Sequence, residues 1–137
     1  MSQIVVGYDG SDTSVAALEM ASELAKGLGD SIVIVFGYAP GGYGGGEVPA
    51  QRAAVEELGE KVTSEGAERA KAAGVDVEIE LVNEHAHEAL MTVAERRKAR
   101  MIAVGSHGES PLRGAVLGAT PYKLVQLSET PVLVVRI

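Results

Sequence analysis

A set of glycines in the last third of the chain carries the most chemical information. Gly105, Gly108 and Gly118 follow the spacing G-x2-G-x9-G. Glycine lets the backbone approach a ligand closely and adopt positive φ, so successive N–H groups can converge on an anion. The spacing therefore suggests that main-chain amides bind a phosphate-like group. The alternative is structural, with each glycine serving only a turn or a close packing contact.

A second loop of small and polar residues, Gly7-Tyr8-Asp9-Gly10-Ser11, follows the first apolar run. Asp9 is a candidate contact for a ribose or a metal ion. It is equally a candidate turn residue that caps the next helix, and the two roles are compatible. Neither this loop nor the later one contains a P-loop or a Rossmann G-x-G-x-x-G pattern, so two common phosphate-binding motifs are excluded.

The histidines carry less chemical information than the glycines. His107 has no evident partnership with a nucleophile and an orienting carboxylate, so we interpret it as a loop residue that donates through its backbone and not as a general base. His85 and His87 lie two residues apart in a predicted helix, where their side chains should point apart. We therefore predict no metal pair there.

The elements that must position these residues alternate between strand and helix. Continuous apolar runs indicate strands covered on both faces, and an i, i+3, i+4 spacing of apolar residues indicates helices. The predicted strands are 3–8, 31–36, 75–81, 101–104 and 131–137. The first predicted helix has its N-cap within 11–13 and is ended by Gly27 and Gly29, and the other predicted helices are 52–73, 85–98 and 114–127. Residues 37–51, rich in glycine and proline, are predicted to form a mobile surface loop.

This order predicts a single α/β domain over residues 1–137, with an open five-stranded parallel sheet, helices on both faces and the strand order 3-2-1-4-5. The third strand alternates apolar and acidic residues, which favours an edge position. Ligands of such sheets bind beyond the carboxyl ends of the strands, where the winding reverses. The loops after strands one and four should meet at that place and form a pocket.

The composition limits the classes of partner. The net charge is −7 and the calculated pI is near 4.9, which argues against nucleic acid and anionic membranes as partners. The absence of cysteine excludes thiol catalysis and disulfides and is compatible with a cytoplasmic location. The first residues, MSQIVVGYDGSD, do not have the pattern of a secretory signal.

The whole chain resembles the universal stress protein family. The opening IVVGYDGSDTSVAALEMASELA is similar to the family's first strand, Asp-Gly-Ser turn and first helix. The segment VGSHGESPLRGAVLGAT is similar to its nucleotide-binding signature, G-x2-G-x9-G-[ST], and TPVLVVR to its last strand. The resemblance implies a Rossmann-like fold of the adenine nucleotide alpha hydrolase type, and it implies ATP binding.

The resemblance also implies a role for each matching residue. Gly105, Ser106, His107 and Gly108 would surround the ribose and the first phosphates, whereas Gly118, Ala119 and Thr120 would donate to the outer phosphates. The strand-one exit at Gly7 and Asp9 would lie beside the nucleotide. The backbone near Gly37 would contact adenine. Arg113 is the one cation near the phosphate loop, and Mg²⁺ would accompany ATP, with Asp9 as its candidate protein contact.

The sequence departs from the family pattern at three places. Ala119 stands where the signature has serine or threonine, which removes a hydroxyl from the phosphate site. Glu84-His85-Ala86 stands where the family often has Gly-x-Pro, and Glu84 would oppose a phosphate if it faced the pocket. Arg100 replaces a common aspartate, which we interpret as a change at the surface, and we interpret the neighbouring basic run 96–98 as a solvated helix end.

The sequence is compatible with three functions. The first is a non-catalytic stress-response module that binds ATP and has an unidentified protein partner. The second is a slow ATPase. The third is a dimeric interaction protein that has an empty pocket or that binds AMP or cAMP because of Ala119. The apolar last strand predicts a homodimer that pairs through Val132–Arg136 at a sheet edge, as the resemblance also implies.

Overall fold

The structure, a computed structural model, describes residues 1–39, 49–107 and 117–137. Strands and helices alternate through these ranges. The elements are β1 (Gln3–Gly7), α1 (Asp12–Leu28), β2 (Ser31–Gly37), α2 (Pro49–Ala72), β3 (Val77–Val82), α3 (Ala86–Arg97), β4 (Met101–Gly105), α4 (Ala119–Leu127) and β5 (Val132–Val135). In these ranges, every helix is too short or too polar to cross a membrane.

The five strands form one parallel sheet in the order β3-β2-β1-β4-β5, which confirms the predicted topology. The central strand β1 pairs with β2 on one side and β4 on the other, so that Val5 lies opposite both Val33 and Ile102. The winding reverses between β1 and β4. The connections that follow β1 and β4 therefore lead to opposite sides of the sheet. This leaves a crevice between them at the carboxyl ends of the two strands.

The core consists of two layers, one on each face of the sheet. Alternate residues of β1 face opposite sides, as a strand requires. Ile4 and Val6 pack with side chains of α1 and α2, whereas Val5 packs with α3 and α4. Because both faces are covered, the central strands read as unbroken apolar runs, which is the pattern that predicted a parallel sheet.

Two predicted boundaries are wrong. Helix α4 begins at Ala119 and not at residue 114, because Gly118 is extended and acts as its N-cap (φ −63°, ψ 164°). The predicted loop 37–51 is too long, since Gly37 ends β2 and α2 begins at Pro49. Proline suits the first helical position because its missing N–H would be unpaired there anyway. Residues 40–48 of that loop lie outside the described ranges.

The predicted solvated basic run is confirmed in part: Arg96 and Lys98 are exposed, but Arg96 and Arg97 are paired with acidic side chains. Strand β3 is at the sheet edge as expected, and its acidic residues face basic residues of α3. Arg97 donates to Glu80 (2.5 Å) and to Glu78, and Arg96 donates to Glu80. Burial alone would raise the pKa of Glu80, but the hydrogen bonds from Arg96 and Arg97 outweigh it and hold that pKa below its usual range.

Arg100 is likewise paired. Its guanidinium donates from Nε to Asp30 Oδ2 (2.5 Å) and from Nη2 to Oδ1 (3.2 Å), and the Ser2 amide also donates to Oδ1 (3.3 Å). The Asp30 side chain is only 1% exposed. The hydrogen bond from Arg100 lowers the pKa of Asp30, against the opposing effect of burial. The residue that departs from the family pattern therefore stabilises a buried carboxylate.

We expect Asp30→Asn to weaken the fold at neutral pH and to flatten its acid dependence. Because the folded-state pKa is lowered, the carboxylate contributes stability above its unfolded value of about 3.9 and loses it as pH falls through the folded value. Wild type should therefore lose urea resistance below about pH 4 more steeply than the variant. Urea midpoints between pH 3 and pH 7 measure this, with exposed Asp76→Asn as control. Parallel profiles for wild type and Asp30→Asn would contradict the assignment.

Candidate functional site

A pocket opens at the carboxyl-terminal edge of the sheet, between the ends of β1, β2 and β4. Its volume is about 290 Å³, near the lower end of the range of about 300–1,000 Å³ that is common for small-molecule sites. It is lined by Gly7, Tyr8, Asp9, Ser11, Ser14, Val35, Phe36, Gly37, Ala86, Leu90, Val104, Gly105, His107, Thr120 and Pro121. The predicted loops after strands one and four do meet there.

The predicted site residues fall into three groups. Those that line the pocket are Gly7, Asp9, Gly37, Gly105, His107 and Thr120. Ser106 and Gly118 are not among the lining residues and are hydrogen-bonded to each other, and Ala119 is exposed at the first position of α4. Gly108 and Arg113 lie outside the described residues. The fold thus gathers at one edge the predicted residues that it describes, although they come from four separate segments of the sequence.

Asp9 has a structural role in addition to its place in the pocket lining. Its Oδ1 accepts hydrogen bonds from the Ser11 amide (2.9 Å) and from the Ser11 hydroxyl (2.5 Å). Ser11 in turn caps α1 by accepting from the Ser14 amide. Gly10 has a φ of +84°, which glycine adopts without strain. The cap residue is therefore Ser11, and Asp9 holds it in place while it lines the pocket.

Gly105 is required by packing against α1. A Cβ at this position would lie 2.6 Å from the carbonyl carbon of Thr13, a distance that real Cβ atoms essentially never show. The Thr13 hydroxyl donates a hydrogen bond to the His107 carbonyl. The first turn of α1 therefore holds the loop after β4 against the sheet, so the structural alternative for Gly105 is correct whether or not a ligand also uses its backbone.

Glycine is needed at position 37 because the segment before α3 packs closely against it. A Cβ there would lie 2.6 Å from the Glu84 carbonyl oxygen and 2.9 Å from the amide nitrogen of Ala86. This contact brings Ala86 into the pocket wall. The Glu84 carboxylate accepts from the Thr92 hydroxyl (3.3 Å) on α3, and Glu84 is not among the lining residues. The predicted conflict between Glu84 and a phosphate therefore does not arise in this conformation.

The N-terminus of α4 approaches the same edge. The Gly118 amide donates to the Ser106 carbonyl (2.8 Å), so this amide is engaged within the protein. Ala119 and Thr120 supply the N–H groups of the first turn, and Pro121 has none. A helix N-terminus favours an anion through these amides and the helix dipole. The end of α4 that reaches the pocket thus carries the amides of Ala119 and Thr120 and the Thr120 hydroxyl.

The histidine pair beside the pocket differs from the prediction in its geometry. His85 is the N-cap of α3 and not a helical residue, so the expectation that the two side chains point apart is wrong. The rings of His85 and His87 are parallel with centroids 6.5 Å apart. Burial, and then the charge of Lys123, lower the pKa of His87. Among the described residues no group of three or more metal-ligating side chains occurs.

The apolar part of the pocket lining was not predicted from the sequence. Val35, Leu90, Val104, Ala86 and Pro121 come from β2, α3, β4 and α4. Each one reads as an ordinary core or helix residue, because its place at the pocket depends on where its element ends. Pro121 alone carried a local signal, since proline favours the first turn of a helix. The apolar wall beside polar loops gives a surface suited to a flat ring joined to a charged group.

Comparison with known proteins shows the family to which this fold belongs. The model described as the universal stress protein family matches residues 1–136. Universal stress protein YxiE of Bacillus subtilis is 33% identical, over 98% of this chain and 98% of that protein. A universal stress protein solved in complex with cAMP is 30% identical, with a TM-score of 0.77 over 98% of this chain and 96% of that one. A universal stress protein structure from Archaeoglobus fulgidus is 19% identical, with a TM-score of 0.82 over 98% of each chain.

Proposed function

Because this chain belongs to the universal stress protein family, we propose that the crevice between β1 and β4 binds an adenine nucleotide. The observation that carries the proposal is the convergence of the strand-one exit, the strand-four exit and the α4 N-terminus on one pocket. The apolar wall would take the base, with main-chain groups near Gly37 reading its edge. The relative with 30% identity that was solved with cAMP supports the same class of ligand.

We propose ATP as the first candidate. The amides of Ala119 and Thr120 at the α4 N-terminus would receive the outer phosphates, because a helix N-terminus carries unpaired donors and a partial positive charge. Mg²⁺ would arrive with the nucleotide, and Asp9 would be its nearest candidate among the protein carboxylates. In this proposal the α4 terminus, and not a lysine, provides the attraction for phosphate.

A mononucleotide such as cAMP or AMP is the second candidate, and one observation favours it. Ala119 offers no hydroxyl at the first position of α4, where the family signature has one. The outer phosphates therefore lose a partner, whereas a base, a ribose and one phosphate lose little. The solved relative with bound cAMP is consistent with a pocket of this kind.

We propose that the protein acts without catalysis, as a nucleotide-dependent module of the stress response. Phosphoryl transfer depends on cations and metal-binding carboxylates around the γ-phosphate. Within the ranges that the structure describes, the pocket lining contains Asp9 as its one carboxylate and no lysine or arginine. A bound nucleotide would then act by favouring one conformation of the protein. Slow hydrolysis is the alternative, and a turnover assay with Mg²⁺ tests it.

The ligand can be identified directly. Purified protein is denatured, the released small molecules are separated by chromatography, and ATP, AMP and cAMP are then titrated into ligand-free protein by calorimetry. We expect micromolar binding of at least one adenine nucleotide and no comparable binding of GTP. If no adenine nucleotide binds at millimolar concentration, the proposal is wrong.

We expect Ala119→Ser to tighten ATP binding more than AMP binding. A hydrogen bond to a charged acceptor contributes about 1.5–3 kcal/mol, which corresponds to about tenfold or more in affinity. A serine hydroxyl at the helix start would reach the outer phosphates, which AMP does not have. Calorimetric titration of both nucleotides measures the difference, and Ala119→Val serves as a control for the added volume. Equal tightening of both nucleotides would place the phosphates elsewhere.

We also propose a homodimer that pairs through Val132–Arg136, in a protein that acts in the cytoplasm. Strand β5 bonds to β4 on one side only and forms the end of the sheet, and its four residues are half-buried. Such an edge can pair with a second copy of itself. Sedimentation analysis over a range of concentrations tests the dimer, and a monomer at all concentrations would refute it.

A further inference from the structure

Two aromatic rings at the pocket are inserted into one face of α2. A Cβ on Gly59 would lie 2.7 Å from Cδ1 of Phe36, and a Cβ on Gly66 would lie 2.9 Å from Cδ1 of Tyr8. We call Gly59 and Gly66 the ring notches. They are seven residues apart, which is close to two helical turns, so they share a face of the helix. Both lie well inside α2, where glycine disfavours helix formation.

The same two aromatic residues line the pocket. The residues beside them show which way the rings point. A Cβ on Gly7 would meet Leu90 of α3, and a Cβ on Gly37 would meet the segment before α3. Because successive residues of a strand face opposite sides, the rings of Tyr8 and Phe36 lie on the α2 side of the sheet. The strand ends that border the pocket are therefore held from behind by α2.

The Tyr8 contact is further fixed by polar groups. Tyr8 is only 2% exposed, and its hydroxyl donates to Glu65 Oε1 (3.3 Å), next to the notch at Gly66. Arg69 donates to the same carboxylate oxygen (3.3 Å). The ring is thus enclosed by the notch and hydrogen-bonded at its hydroxyl, so α2 contacts the side chain of Tyr8 at two points, directly before Asp9.

We propose that α2 positions the pocket through the ring notches, with Tyr8 and Phe36 as positioning residues for the bound ligand. This inference rests on the proposed function, since it concerns the same pocket. A side chain at either notch pushes a ring, and through it the strand end that borders the ligand. By reciprocity, a ligand that fixes those strand ends favours the packed position of α2. Helix α2 is then the element through which occupancy of the pocket is transmitted to the protein surface.

The first test uses alanine at the notches. We expect Gly59→Ala and Gly66→Ala each to weaken ATP or cAMP binding at least fivefold in calorimetry, whichever nucleotide wild type binds more tightly. The matched control is Gly27→Ala in α1, where a Cβ would meet nothing within 4 Å, so that only helix propensity changes. We expect Gly27→Ala to bind within twofold of wild type.

A second variant separates positioning from loss of fold. In Gly59→Ala with Phe36→Leu, the shorter side chain makes room for the new methyl group, and we expect at least half of the lost affinity, on a logarithmic scale, to return. Wild-type affinity in both notch variants would overturn the inference, and so would a double variant as weak as Gly59→Ala alone. Absence of nucleotide binding by wild type would instead refute the proposed function, and the inference with it.

Hydrogen exchange of the wild-type protein gives a readout that needs no substitution. We expect saturating nucleotide to slow exchange of the α2 amides between residues 59 and 66, with no comparable change at β5 at the far edge of the sheet. A nucleotide that binds without changing α2 exchange would overturn the linkage, while leaving the proposed function intact.

Discussion

Gly105→Ala is expected to lower the free energy of unfolding by about 2–3 kcal/mol, in the range of overpacked cores, and to weaken nucleotide binding at least tenfold. The added Cβ would lie 2.6 Å from the Thr13 carbonyl carbon, so β4 and the first turn of α1 would have to separate. That turn carries the hydroxyl that bonds to the His107 carbonyl. The substitution therefore displaces the pocket loop as well as the core.

Urea unfolding and calorimetric titration measure the two effects of Gly105→Ala. The control is Gly27→Ala, which adds the same methyl group in open space and should not reduce stability. Stability and affinity close to wild type in Gly105→Ala would show that α1 moves away easily, and the packing explanation for this glycine would then be wrong.

Gly37→Ala is expected to weaken nucleotide binding to a similar extent, by displacing the pocket wall formed by the segment before α3. Its Cβ would lie 2.6 Å from the Glu84 carbonyl oxygen and 2.9 Å from the Ala86 backbone. All of these neighbours are main-chain atoms, so the strain is not relieved by rotation of a side chain. We expect a loss of about 2–3 kcal/mol of stability and at least tenfold weaker binding, because Ala86 forms part of the pocket wall.

The matched control for Gly37→Ala is Gly7→Ala. Gly7 lines the same pocket, but the nearest atoms to its Cβ would be side-chain carbons of Leu90 and Val104 at 3.1 Å. These side chains can shift by a few tenths of an ångström, so we expect the control to lose less than half as much stability. Equal losses in the two variants would mean that the 84–86 segment adapts as readily as a side chain.

Much of the fold could be predicted because the pattern that encodes it is continuous. The runs at Ile4–Val6 and Ile32–Val35 are apolar at every position and short, as a strand covered on both faces requires. The alternation of apolar and acidic residues from Val77 to Glu80 indicated a strand with one face in solvent, as at the edge of the sheet. The place of the pocket followed from this topology, because the reversal between β1 and β4 fixes which loops meet.

The features of the fold and the site that could not be predicted depend on contacts between segments that are distant in the sequence. A local sequence pattern does not indicate such contacts. Gly105 is needed because Thr13 approaches it, ninety-two residues earlier in the sequence. The start of α4 is set by the Gly118 amide, which bonds to Ser106. The pairing of Arg100 could not be predicted without knowing that the turn at Asp30 lies beside it. In each case the residue could be singled out from the sequence, but the residue that it contacts could be identified only from the structure.

The hydrogen bond from the Ser2 amide to Asp30 anchors the front of the chain at the amino-terminal edge of the sheet. The pocket lies at the opposite edge, and the five residues of β1 between them span about 16 Å at the rise of an extended strand. An affinity handle fused ahead of Met1 would consequently point away from the ligand. Capture on a sensor chip through that handle should leave the crevice facing the flowing solution.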